Sequence, residues 1–91
     1  GFTGAQIAQQ ILDKNGINYI TVVKGTRPGQ DHFNPMKKVI MLSPQNYDST
    51  SIAAVAVAAH EVGHAIQWHT NWIGIKIRNF FLVPAQLGSK L

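Results

Sequence analysis

The stretch IAAVAVAAHEVGHAIQWH, residues 52–69, decides how this chain folds. Its first half is apolar on all sides, the pattern of a helix buried on most of its surface. Three β-branched residues fall between Ile52 and Val57, but the five alanines of Ile52–Ala59 keep helical propensity good. Asp48 or Ser49 is placed to cap it, so the sequence predicts a helix from about Thr50 to His69.

The rest of the chain arranges itself around that helix. Thr3 followed by Gln6 reads as a capping box. Ile7, Ala8, Ile11 and Leu12 then recur at helical spacing, and Gly16 supplies a stop, predicting a first helix of about 10–12 residues. Tyr19–Val23 is β-branched and aromatic, which fits a short strand. Lys24–Met36 holds two glycines and two prolines and reads as loop. Lys38–Leu42 reads as a second strand, ended by Ser43-Pro44. Ile73, Ile77, Phe80, Phe81, Leu87 and Leu91 line one side of a last amphipathic helix, which Pro84 is expected to kink or end early. The order helix–strand–strand–active-site helix–helix predicts an α+β fold.

Composition narrows the function. Ninety-one residues suit one small domain, which buries only about 60–65% of its unfolded surface. With no cysteine, disulfide scaffolds, zinc ribbons and thiol nucleophiles are excluded. Charged residues make up 13%, against about 25% in ordinary globular domains, and hydrophobic residues 45%. Such an apolar surface suits part of something larger, or a place near a membrane. Asp13, Asp31, Asp48 and Glu61 are the whole acidic inventory. The net charge is +4, but the basic residues are scattered and no helix concentrates them with aromatics, so no nucleic-acid partner is expected. The apolar run Ile52–Ala59 and the uncharged run Asn79–Ser89 both fall short of the roughly 20 residues that span a bilayer. The first residues lack a basic region followed by an apolar one, so no signal peptide is expected, and the abrupt ends suggest a piece of a longer protein.

The chemistry lies in His60-Glu61-Val62-Gly63-His64. Residues four apart share a helix face, so both imidazoles can aim at one point. They fit two corners of a zinc tetrahedron at distances of about 2.0–2.1 Å. Glu61 lies about 100° round the helix, near enough to take a proton from a water without ligating the metal. The bland alternative is a helix carrying two satisfied histidines and a solvated glutamate. Against it, a glutamate following a buried apolar run is costly unless it has a role. A third ligand is not evident. The extended pattern H-E-x-x-H-x-x-G-x-x-H fails, because positions 67 and 70 are Gln67 and Thr70. His69 points to another side and reads as a solvated helix end. Asp31 and His32 either approach the metal from across the fold or order their own turn.

Other residues read two ways. A substrate peptide could pair as an extra strand along Lys38–Leu42. Tyr47, Tyr19 or His32 either stabilises an oxyanion or simply packs. Trp68, on the His64 face, either lines a substrate pocket or fills the core. Trp72 with Lys76 and Arg78 is either a membrane-interface anchor or a helix start with a solvated basic face.

The segment HFNPMKKVIMLSPQNYDSTSIAAVAVAAHEVGHAIQ, residues 32–67, resembles the core of the putative neutral zinc metallopeptidases of the YugP type, a family of bacterial membrane proteins. The opening TGAQIAQQILDKNGI, the DHFNP loop, the LSPQNYDS turn and the HEVGHAIQ helix all contribute, so the resemblance covers nearly the whole chain. It implies a zincin-like peptidase acting on peptide or protein substrates, with Zn²⁺ as cofactor, His60 and His64 as ligands and Glu61 as general base. It also implies a third ligand from a downstream glutamate, and no glutamate follows Glu61. Residues 1–91 are therefore expected to be a single domain, the N-terminal part of the catalytic unit. Membrane segments flanking it would place the parent in a membrane, this chain itself being a soluble fragment. The competing expectation is a metal-binding but catalytically inactive interaction domain.

Overall fold

The computed structural model describes residues 1–90, with side chains through Leu82. The elements are α1 (Gly4–Lys14), β1 (Thr21–Lys24), β2 (His32–Asn34), β3 (Val39–Leu42), α2 (Pro44–Asp48) and α3 (Ile52–Lys90). The fold is α+β, helices packed on a small three-stranded sheet.

α1 begins and ends as its sequence dictates. The Gln6 amide donates to Thr3 Oγ1 at 3.1 Å, and the Thr3 amide donates to Gln6 Oε1 at 2.9 Å, completing a reciprocal capping box. At the other end Gly16 takes a positive φ of 68°. The Gly16 amide donates to the Asp13 carbonyl and the Ile17 amide to the Leu12 carbonyl, both at 3.0 Å. This is a Schellman stop, and the buried pair Leu12 and Ile17 supplies its hydrophobic contact.

The strand order is β1-β3-β2, with β1 parallel and β2 antiparallel to β3. The first strand starts two residues later than expected. The segment read as loop contains β2, a missed strand paired through His32–Met41, Phe33–Ile40 and Asn34–Val39. Because β3 is the central strand, both its edges are occupied, and the expected docking of a peptide along Lys38–Leu42 is ruled out. The open edges are the outer sides of β1 and β2.

The core joins α1, the sheet and the first half of α3 through Ala8, Leu12, Ile17, Ile20, Ile40, Leu42, Ala58, Val62 and Ala65. Its small residues let backbones approach closely. At Gly4 an added Cβ would lie 2.1 Å from the Asn46 carbonyl oxygen of α2 and 3.3 Å from that of Ala54 on α3.

α3 departs from expectation at both ends. Its start is secured by Ser51, whose hydroxyl accepts from the Ala54 amide at 3.1 Å, and not by Asp48 or Ser49. Asp48 ends the short helix α2 and pairs with Lys24, while Ser49 Oγ accepts from the Ser51 amide at 3.1 Å. The predicted division near His69 does not occur, because α3 is one helix of 39 residues. Between His69 and Ile73 stand no proline and no glycine, and the single Gly74 costs only about 1 kcal/mol relative to alanine. At about 1.5 Å per residue α3 accounts for the molecule's 58 Å long axis. Pro84 does not end the helix, which runs on to Lys90, and the apolar contributions expected of Leu87 and Leu91 fall outside the described side chains.

Two glycine substitutions should act with opposite sign in urea unfolding. Gly4→Ala collides with fixed backbone and should destabilise by about 1–3 kcal/mol. Gly74→Ala meets nothing within 4 Å and should stabilise by about 0.5–1 kcal/mol.

Candidate metal centre

Residues 58, 62 and 65 turn one side of α3 into the core, and that burial fixes the helix's rotation. His60 and His64 then emerge on the exposed side, with ring centroids 4.4 Å apart. Glu61 falls at the boundary. It is 8% exposed, among the buried residues of the helix. Glu61 Oε1 lies 3.6 Å from His64 Nδ1, too far for a hydrogen bond. Among the described residues, the Glu61 carboxylate accepts no hydrogen bond. This is a sheltered base beside two outward-facing nitrogen donors. Neutral imidazoles suit a borderline-soft divalent ion such as zinc.

Two donors do not close a site, and among the described residues no group of three potential metal ligands comes together. None of the candidates for the third that the sequence offered joins the pair. Asp31 Oδ1 accepts from the Ser43 amide at 2.8 Å, from Asn46 Nδ2 at 3.1 Å and from Ser43 Oγ at 3.2 Å. Asp31 is thus a pin that ties the approach to β2 onto the start of α2. Burial pushes its carboxyl up, but the hydrogen bonds from Ser43 and Asn46 outweigh that and leave it below the ordinary value. His32 is exposed, its Nδ1 2.8 Å from the Gln30 carbonyl. His69 is no solvated helix end. It is half-buried, with Nδ1 2.5 Å from the Tyr19 hydroxyl.

The oxyanion candidates fare similarly. Tyr19 is engaged with His69, and burial raises its phenol above the usual value. Tyr47 packs against the core. None of Tyr19, Tyr47 and His32 is hydrogen-bonded to His60, Glu61 or His64.

One feature was seen only in part in the sequence. The stripe His60, His64, Trp68, Trp72 advances about 40° per step round α3, from the exposed side towards the sheet. There Trp68 meets Phe33 of β2 edge-on, ring centroids 6.0 Å apart, and stacks on Trp72 at 6.1 Å with an interplanar angle of 8°. Tyr19 packs against both tryptophans. Lys38 Nζ stands 5.0 Å over the Trp68 ring, and Lys76 Nζ 4.4 Å over the Trp72 ring. Lys38 has a positive φ of 59°, unusual for a residue with a side chain, and also donates to the Pro35 carbonyl at 3.0 Å. The i, i+4, i+8 spacing of residues 68, 72 and 76 was legible, but the contribution of Lys38, from the turn between β2 and β3, was not.

A paired-histidine helix with a sheltered glutamate defines a class of protein, and the comparison with known families agrees with it. The chain belongs to the family described as putative neutral zinc metallopeptidase, which it matches over residues 1–91. It is similar to the putative membrane protease YugP of Bacillus subtilis (strain 168), with 42% identity over 81 residues. That match covers 87% of this chain and 35% of the relative. No solved structure matches the chain.

The Asp31 pin gives an acid-sensitive stability. Its native carboxyl lies below the unfolded value of about 3.9, so its contribution is full above that value and is lost as pH falls through the native one. Asp31→Ala should destabilise by about 1–3 kcal/mol at neutral pH, because the buried Ser43 amide loses its acceptor, and should flatten the acid limb of stability against pH.

Proposed function

We propose that this chain carries part of the active centre of a zinc-dependent peptidase, with His60 and His64 as metal ligands and Glu61 as general base. The observation that carries the reading is the sheltered Glu61 carboxylate beside two outward-facing imidazoles on one helix. Zinc, when bound, supplies Lewis-acid polarisation of a scissile carbonyl and lowers the pKa of water towards about 7. The chain's own part is orientation and proton transfer. His60 and His64 are held at helical spacing by a buried face they do not share. Glu61 takes the proton of the attacking water on its carboxylate and delivers it to the departing amine. Limited solvent access keeps that carboxylate from being fully hydrated, which strengthens its action at short range. The peptide runs along the open edge of β2, where main-chain pairing orients an extended substrate beside α3.

The third zinc ligand comes from chain beyond these residues, consistent with a match to 35% of the relative's length. The relative's name supports a membrane-bound parent, and we assign its anchors to segments flanking this one. Among the described residues no helix is long and apolar enough to cross a membrane.

At saturating metal the purified chain should hold about one zinc, measured by elemental analysis. His60→Ala or His64→Ala should weaken binding beyond the roughly 10–100-fold cost of losing an outer-shell partner. In the full-length parent, Glu61→Gln should lower proteolysis by about 10²–10⁴-fold while zinc content is unchanged. A Gln variant that cleaves like wild type overturns the assigned base. A chain that takes up zinc, in a parent that cleaves nothing, favours the interaction-domain reading.

A further inference from the structure

The second half of α3 extends past the sheet and leaves a large apolar surface uncovered. Phe80 and Phe81 are 69% and 68% exposed, and Ile73 and Ile77 are also open. At about 100° per residue, Ile73, Ile77, Phe80 and Phe81 occupy one arc of about 100°. Lys76 lies just outside one margin of that arc and Arg78 just outside the other. The opposite side is mixed, with Asn71 and Asn79 among Ile75 and Leu82. No acidic residue follows Glu61, so nothing in this half of the chain offsets the cations. The ladder Lys38–Trp68–Trp72–Lys76 adjoins the arc, two ammonium groups standing over two stacked indoles.

We propose that Trp72–Leu82 of α3 is an interfacial helix that seats on an anionic phospholipid bilayer. The Ile73–Ile77–Phe80–Phe81 arc faces the acyl boundary, and the lysine–tryptophan ladder lies at the headgroups. Three properties favour lipid over a protein occupant. A continuous aromatic and aliphatic arc bordered by basic side chains is the composition of helices that lie in the membrane plane. Indoles beside ammonium groups suit the headgroup layer, where one end of the ring is apolar and the other wet. The unopposed positive charge complements an anionic surface. This deepens the membrane reading above by assigning a contact surface within this chain, independent of any flanking span.

The assignment has a consequence for substrate. His64 lies eight residues before Trp72 on the same helix, and His60 twelve, about 12 and 18 Å along the axis. The candidate metal centre is therefore held close to the headgroup layer, and the bond it reaches lies in the membrane-proximal stretch of a protein.

Vesicle binding by the 91-residue chain tests this. Trp68→Phe leaves Trp72 as the only indole. With vesicles of phosphatidylcholine and phosphatidylglycerol, Trp72 emission should shift to the blue and be quenched by brominated acyl chains. Binding to neutral phosphatidylcholine should be at least about tenfold weaker, since each cation near an anionic surface contributes about fivefold. Phe81→Asp, at an exposed position that leaves the core intact, should abolish binding while circular dichroism and zinc content stay as in the parent chain. Equal binding to neutral and anionic vesicles overturns the proposal, as does unquenched Trp72. Self-association of the chain that vesicles do not disperse, lost in Phe81→Asp, assigns the face to a second copy instead. None of these outcomes touches anchoring by flanking segments or the zinc site, which the metal and proteolysis measurements test separately.

Discussion

The contact between α1 and the first half of α3 governs the rest of the molecule. Gly4, Ala8 and Leu12 on one helix meet Ala54, Ala58, Val62 and Ala65 on the other, all of them buried. Small side chains on both sides bring the backbones close, and close packing tolerates no rotation of α3 about its own axis. That fixed rotation does three things at once. It turns His60 and His64 outward, sets Glu61 at the edge of burial, and carries Trp68 towards the sheet. A helix with larger residues on this face would stand further off and could settle at another angle. The run of alanines before the motif is therefore part of what orients the motif.

Where local rules decide structure, the sequence was legible. Thr3 and Gln6 cap α1, Gly16 ends it with the positive φ a glycine permits, and the histidine spacing places two imidazoles side by side. Structure departs from the local pattern where longer-range pairing or very short elements decide. β2 is three residues with a single apolar side chain, so no alternation announces it, and it exists because β3 offers an edge. α2 is five residues begun by Pro44, which a sequence reading cannot tell from a turn. The central place of β3 follows from a parallel pairing with β1 across a long connection, information no local window holds. Ser51 was passed over for Asp48 and Ser49 because all three are good capping residues and only the backbone path chooses among them.

The candidate site shows the same division. The motif named His60, Glu61 and His64 as candidates, and the fold decided which of the others lie near them. Asp31, His32 and His69 were reasonable donors by residue type, yet none converges with His60 and His64: Asp31 is bound to Ser43 and Asn46, His32 lies beside the Gln30 carbonyl and His69 beside Tyr19. Asp31 thus serves structure, and the two histidines stand apart from the motif. The two imidazoles of α3, with Glu61 beside them, are the set that sits together, an arrangement that fits a segment matching about a third of its relative's length.

The continuity of α3 has a mechanical meaning. An unbroken helix acts as an axle: whatever sets the azimuth of the Ile73–Phe81 arc also sets the azimuth of His60 and His64, because no joint between them can absorb torsion. One residue inserted between His69 and Trp72 would turn the two surfaces by about 100° relative to each other, whereas four would nearly restore their phase at the cost of about 6 Å of length. The His60–His64 surface and the Ile73–Phe81 surface are therefore clocked together by the helical repeat.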